Sequence, residues 1–317
     1  MITILPARLR IIYFPRSHLI HVTHAIAKML LFKNVNGDEY FFSFTENGYG
    51  VSIVANEAAI DQDFLPALEA ASCPDLGAPS GVLRVLQVDD DGGQDASGKR
   101  ISEISEPLAE GRFSILYIST YQTDFVLVNE SKLHNVIKTL RQDGFDVEED
   151  GCFTVTEEEE DYEDTALLSP VDPTQFLLDT DVLDNELQCV GLNRHYRSDW
   201  VITVLKILCY PDLVQSEDHK RFCSFVATSE DISLIADTHI VSSFEENMLM
   251  KEQDGTTLRV IQVHFSGSNV ERCGIVRCIS KPLSMEANIN MFYLSTFMTA
   301  NIIVSVDDLE RAVNILP

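Results

Sequence analysis

Basic residues are scarce in this chain of 317 residues: 23 lysines and arginines face 50 aspartates and glutamates, for a formal charge of −27. So acidic a chain has little cationic surface to offer phosphates, which argues against a nucleic-acid partner. Long apolar runs are missing as well. None approaches the roughly 20 residues that a membrane-crossing helix needs, so no membrane partner is expected. The start, Met1-Ile2-Thr3-Ile4, lacks the charged, apolar and small-residue regions of a signal peptide. Seven cysteines are scattered without a Cys-x-x-Cys pair, which speaks for reduced thiols in a cytoplasmic setting and against a zinc site. Neither Gly-x-x-x-x-Gly-Lys, Gly-x-Gly-x-x-Gly nor Gly-x-Ser-x-Gly occurs, so no nucleotide or covalent-hydrolase chemistry is expected and no cofactor is called for. His18, His21 and His24 lie three apart on the first helix; with no cysteine or carboxylate beside them they read as surface residues rather than metal ligands. The single tryptophan, Trp200, sits in an apolar helical run and reads as core.

What the chain does have is a repeat. Leu83-Arg84-Val85-Leu86-Gln87-Val88 returns as Leu258-Arg259-Val260-Ile261-Gln262-Val263, and Ile104-Ser105-Glu106-Pro107-Leu108 returns as Ile279-Ser280-Lys281-Pro282-Leu283, both at an offset of 175. With one residue inserted, Ile118-Ser119-Thr120-Tyr121 matches Leu294-Ser295-Thr296-Phe297. Val51–Asn56 also matches Ile232–Asp237, so residues 1–150 and 187–317 read as two copies of one two-module half. Each module reads strand, helix, strand, strand, with a second helix clearest in the second and fourth.

In the first module a strand over Leu9–Phe14, a helix capped by Ser17 and a hairpin of Tyr40–Thr45 with Val51–Asn56 are expected. In the second, the strand Leu83–Val88, a helix near Arg100–Leu108 and the strands Phe113–Thr120 and Asp124–Val128 precede a helix from Asn129 to Gly144. The third has strands Gln188–Leu192, Phe222–Ala227 and Ile232–Ala236, with a helix opening at Ser198. The fourth repeats the second, with Ser305 capping as Asn129 does. The expected class is α+β, with modules at 1–72, 73–148, 187–250 and 251–317. Residues 149–186 are expected to be an unstructured acidic linker: residues 146–186 hold 16 acidic residues, and no lysine or arginine lies between Arg141 and Arg194.

Ser119-Thr120-Tyr121-Gln122-Thr123-Asp124-Phe125-Val126-Leu127-Val128, together with Cys273-Gly274-Ile275-Val276 and Ser295-Thr296-Phe297, resembles the CASTOR family, cytosolic arginine sensors upstream of the TOR kinase complex. The resemblance implies four tandem ACT-like modules of βαββαβ, ferredoxin-like form. It also implies a non-enzymatic regulatory role, a homodimer through the first and third modules, a free amino acid bound between the second and fourth, and contact with the GATOR complex when that site is empty. Carried onto this sequence, the ligand residues are Ser114, Ile115, Asn269, Glu271, Cys273, Gly274, Ile275, Thr296, Phe297 and Ala300. The partner contact falls on Tyr121, Gln122, Thr123 and Asp124.

On the residues alone, Gly274 reads equally as a plain turn glycine and Ser114 as an ordinary strand residue. Likewise Gln122-Thr123-Asp124 is common hairpin-turn chemistry. Where the family places acidic residues, immediately before Cys-Gly-Ile-Val and after Ser-Thr-Phe, this chain has Arg272 and Ala300. A guanidinium ligand needs such carboxylates, leaving Glu271 as the substitute. Amino-acid binding survives this departure as an expectation and arginine specificity does not. The alternative is an ACT-domain interaction scaffold whose ligand site has decayed.

Overall fold

The computed structural model describes residues 1–33, 37, 39–89, 97–149, 177–210, 221–250, 256–286 and 288–316. Short, almost wholly buried apolar segments build most of the strands, and amphipathic stretches such as Leu133–Gln142 build the helices. The first unit comprises β1 (Ile2–Phe14), α1 (Leu19–Ala27), β2 (Phe41–Asn47), β3 (Gly50–Asn56), α2 (Glu57–Ala59) and α3 (Leu65–Ala70). The second comprises β4 (Leu83–Val88), α4 (Ser97–Glu110), β5 (Ile115–Ser119), β6 (Asp124–Asn129), α5 (Leu133–Gln142) and β7 (Val147–Glu149). Then follow β8 (Leu177–Val182), β9 (Leu187–Leu192), α6 (Arg197–Cys209), β10 (Cys223–Thr228), β11 (Ile232–Asp237), α7 (Thr238–Val241) and β12 (Leu249–Met250). The last unit is β13 (Leu258–Phe265), α8 (Ile275–Lys281), β14 (Met291–Ser295), β15 (Thr299–Ser305) and α9 (Leu309–Ile315).

The expected caps hold at Asn129, whose side chain accepts from the Ser131 amide, and at Ser305, which accepts from Asp308. Ser17 does not cap α1: a 3-10 turn over Arg16–His18 leads into the helix without a capping side chain, and the Ser17 hydroxyl meets His18 Nδ1 at 3.1 Å. Pro15, fixed in an extended conformation immediately before the turn, takes the position at which a capping hydroxyl would be needed.

Instead of a separate sheet for each unit, the strands form one barrel-like sheet in the order β12-β9-β11-β10-β2-β3-β1-β4-β6-β5-β14-β15-β13-β8, and Leu258 of β13 reaches Leu187 of β9 to close the ring. All pairings are antiparallel except that of β7 with β1. Edges left open by a three-stranded unit are satisfied by the neighbouring unit, which removes the cost of unpaired backbone groups. Within the ring β2 pairs β10 and β5 pairs β14, so each cross-half seam joins like to like. One core lies under α1, α3, α6 and α7, a second under α4, α5, α8 and α9, and a third on the opposite face is built from strand residues of all four units. Trp200 belongs to the first core, and its indole N–H donates to the Asn193 carbonyl at 2.9 Å.

The linker expectation needs correction. Residues 150–176, with the acidic run from Glu157 to Asp164, lie outside the described residues. Leu177–Val182, however, is strand β8, paired antiparallel with β13. Asp181 pairs with Gln262 as Thr3 pairs with Gln87, so the second copy of the repeat begins near 177 rather than 187. Asp179, Thr180 and Asp181 carry no apolar alternation, and only the backbone ladder to β13 makes them a strand.

Candidate functional site

The two halves meet where α4 and α8 lie over β5 and β14. Across this seam the Tyr117 amide donates to Ser295 Oγ at 2.9 Å and the Tyr293 amide donates to Ser119 Oγ at 3.1 Å, a reciprocal pair at the repeat offset. The two tyrosine rings stack edge to face, 6.2 Å apart and fully buried. At the surface end, Glu106 of α4 receives Arg277 at 3.0 Å and Lys281 at 2.5 Å from α8, and these two cations hold its carboxyl below the usual range.

The loop 266–274 folds over the same seam. Ser114 and Cys273 form an antiparallel bridge, and Ser114 Oγ donates to the Val270 carbonyl at 2.7 Å. Asn269 is buried: its amide donates to Phe297 O at 2.8 Å and its Nδ2 to Thr296 O at 3.2 Å, while its Oδ1 meets no donor among the described residues. Gly274 precedes α8 at φ +81, a left-handed conformation that side-chain-bearing residues rarely adopt, and a Cβ there would touch only Ala109 Cβ at 4.0 Å. Ser114, Asn269, Cys273, Gly274, Thr296 and Phe297 are thus brought together, with Ile115 and Ile275 in the core beneath.

Glu271 is exposed on this loop. Arg272 turns its guanidinium back onto the Ser266 carbonyl of its own loop, and desolvation lowers its pKa. Ala300 is a correction to the expected site. It is 0% exposed, inside β15 and part of the helical core, so it closes no pocket edge.

The hairpin Tyr121–Asp124 carries a second correction. Asp124 is not an exposed carboxylate: it is 3% exposed and accepts from Arg100 Nε at 2.9 Å. Burial pushes its pKa up, with Arg100 opposing. The rest of the turn docks within the chain. The Tyr121 amide donates to Ser233 Oγ at 3.0 Å, its ring lies against Gly191, and the Thr120 hydroxyl donates to Asp231. Gln122 alone of the four is exposed.

The equivalent turn of the second half docks on the first unit, where the Phe297 amide donates to Ser52 Oγ at 3.2 Å and its ring stacks on Tyr13 at 5.7 Å. Sequence reasoning missed these receiving residues, Ser52, Tyr13, Ser233 and Asp231, and also Arg100. For Arg100 a signal existed: where the first half has Arg100 and Asp124, the second has Ile275 and Ala300. The pair is kept or lost together. Beside that lost pair, the Tyr293 hydroxyl is buried with no hydrogen-bond partner among the described residues.

The ACT domain pattern matches residues 81–142 and 255–317, the two stretches that the repeat relates. The cytosolic arginine sensor for mTORC1 subunit 1 from Mus musculus is 27% identical over 99% of this chain and 95% of that protein. Its Homo sapiens counterpart is 26% identical over 99% and 96%. A human protein named putative protein CASTOR3P is 32% identical over 32% of this chain and 61% of its own length. ACT segments at repeat-equivalent positions thus lie within a likeness to the cytosolic arginine sensors that runs nearly end to end.

Proposed function

We propose that this chain is a cytosolic, non-catalytic regulator that binds a free amino acid at the seam of its second and fourth units and reports it through a protein contact. Its four strand–helix–strand–strand units are read as four ACT-like modules. The observation that carries the ligand site is the buried Asn269 Oδ1, an acceptor without a donor, in a loop laid across both halves beside a left-handed Gly274. An α-ammonium supplies the missing donor. The free N–H groups where the chain enters α8, with the Ser114 hydroxyl, suit the α-carboxylate. Because Ser114 holds the loop shut through Val270, the ligand enters when the loop lifts.

The relatives are named for arginine, yet here Arg272 stands on the loop where a carboxylate is needed. Losing that charge-assisted hydrogen bond, at about 1.5–3 kcal/mol, weakens arginine by roughly one to two orders of magnitude. A neutral side chain is therefore favoured. Thermal-shift measurement with each of the twenty amino acids tests the reading, since a ligand bound only by the native state raises its stability by about 2.7 kcal/mol at one hundred times Kd. No response at millimolar concentration leaves the second reading, a scaffold with a decayed site, which Arg272 and Ala300 favour. Micromolar arginine binding by calorimetry would refute the specificity argument.

The reporting contact is read as a GATOR-type complex meeting the exposed tip at Gln122. Homodimerisation is read through α1, its continuation over Lys28–Phe32, and α6, where Ile20 is 72% exposed, Phe32 79% and Ile202 47%. Sedimentation at micromolar concentration tests this: a species of 35.5 kDa alone would overturn it.

A further inference from the structure

The first unit takes hold of the candidate site from outside the seam. Loop 266–274 is tied to the turn between β14 and β15 by Asn269, whose amide donates to Phe297 O at 2.8 Å and whose Nδ2 donates to Thr296 O at 3.2 Å. That turn rests on the first unit. The Phe297 amide donates at 3.2 Å to the hydroxyl of Ser52, which is 7% exposed, and the Phe297 ring is stacked on Tyr13, 5.7 Å away and 13° from parallel. Gly77 exchanges two backbone hydrogen bonds with Tyr13 and leaves the ring its room: a Cβ there would lie 2.5 Å from Phe297 Cε1. The β2–β3 hairpin of the same unit also meets the strand that leads into the loop. Its Tyr49 ring stacks on His264 at 4.2 Å, two residues before Ser266.

The repeat shows which part of this arrangement is particular to the Phe297 turn. Ser52 faces Tyr13 across the β1–β3 ladder, and Ser233 faces Gly191 across the β9–β11 ladder. Ser52 accepts from the Phe297 amide as Ser233 accepts from the Tyr121 amide. Opposite the serine, however, the first unit carries a tyrosine ring and the third a glycine, so Phe297 is stacked on a ring while Tyr121 lies against backbone. The hydrogen bond common to both turns joins the halves. The added ring fixes the turn whose carbonyls Asn269 holds.

We propose that the first unit is part of the amino-acid site, with Tyr13 and Ser52 as positioning residues that set loop 266–274 through Phe297. This role rests on the ligand reading given above, while the contacts between loop, turn and first unit hold without it. When the loop lifts to admit a ligand, both Asn269 bonds to the turn break. The closed loop and the seated Phe297 therefore stabilise each other. Loosening Phe297 on the first unit shifts the loop towards its lifted form, and a ligand that favours the closed loop then binds more weakly. By the same linkage, occupancy of the site is felt at Tyr13 and Ser52.

Three substitutions in the full chain, all outside the loop, test this. Ser52→Ala removes the acceptor of the Phe297 amide, Tyr13→Leu removes the ring beneath Phe297, and Tyr13→Phe keeps that ring. Hydrogen exchange needs no ligand. The Asn269 amide is expected to exchange about fivefold faster in Ser52→Ala and Tyr13→Leu, the effect of about one lost hydrogen bond, and at the wild-type rate in Tyr13→Phe. The β13–β15 ladder over Val260–Val263 is expected to keep its wild-type exchange. In calorimetry with each of the twenty amino acids, the one that binds wild type is expected to bind Ser52→Ala and Tyr13→Leu about fivefold more weakly and Tyr13→Phe equally well. Unchanged exchange at Asn269 in both Ser52→Ala and Tyr13→Leu would overturn the positioning role, as would unchanged affinity in both. Faster exchange spread evenly over the ladder would overturn it too, by marking a general loss of stability. If no amino acid binds wild type, the ligand reading falls, and exchange at Asn269 still decides whether the first unit positions the loop.

Discussion

Replacing Asp124 with alanine separates a structural role from a contact role at the hairpin. The carboxylate and its partner Arg100 have side-chain exposures of 4% and 17%, with 2.9 Å between Oδ2 and Nε. Removing one member of a buried pair costs about 3–5 kcal/mol, because the remaining charge is left without compensation. Arg100 keeps some access to water, which places the expected loss near the lower end, at about 3 kcal/mol. For a chain of this size that lowers Tm by roughly 6 °C, taking about 2 °C per kcal/mol. The loss belongs to the orphaned guanidinium rather than to the missing contact. Asp124→Ala combined with Arg100→Leu should therefore recover most of it, and Asp124→Asn, which keeps an acceptor, should lose less. Thermal denaturation followed by circular dichroism, with urea melts for the free energies, reads all four proteins. A Tm for Asp124→Ala within 1 °C of wild type would refute the burial argument. It would also return Asp124 to the partner-facing surface that the family resemblance implies.

Ala300→Asp places a carboxylate in a fully buried strand position and should destabilise by about 3 kcal/mol or more. Adding Ile275→Arg, which rebuilds the Arg100–Asp124 arrangement at the equivalent place, should restore part of that in urea melts. Gln122→Ala, at the exposed tip, should leave Tm unchanged within about 0.5 kcal/mol while weakening capture of the partner complex in a pull-down. Asp231 titrates above the ordinary aspartate value because burial opposes its charge, with Thr120 and the Gln122 and Ile232 amides countering. A raised folded pKa means that the native state holds the proton more tightly than the unfolded chain. The contribution is therefore complete at low pH and is lost as pH rises from about 4 through the folded value. Asp231→Asn should remove up to about 1.4 kcal/mol per pH unit of that decline in stability as pH rises above about 4.

Much of the architecture was legible before any coordinates. The 175-residue repeat, the strands Leu83–Val88 and Asp124–Asn129, and the caps at Asn129 and Ser305 all follow from local alternation and turn chemistry, which the chain carries residue by residue. The loop 266–274 was expected as a candidate site only through the family resemblance, since by itself a glycine before a helix reads equally as a plain turn. Joining the units into one ring was not legible, since strand-edge pairing depends on backbone groups that every residue shares. For the same reason β8 passed as linker: its side chains argue against a strand, and only the edge of β13 decides for one. Asp124 and Ala300 show the limit for side chains. The family resemblance placed both in functional sites, but whether Asp124 faces water or a buried arginine is set by α4 packing over the sheet. The sequence by itself determined which segments would be strands and helices and that they would come in two copies, because periodicity and capping are short-range. The tertiary structure alone decided which edges pair and which charges are buried, because these depend on residues that separate elements of the chain bring together.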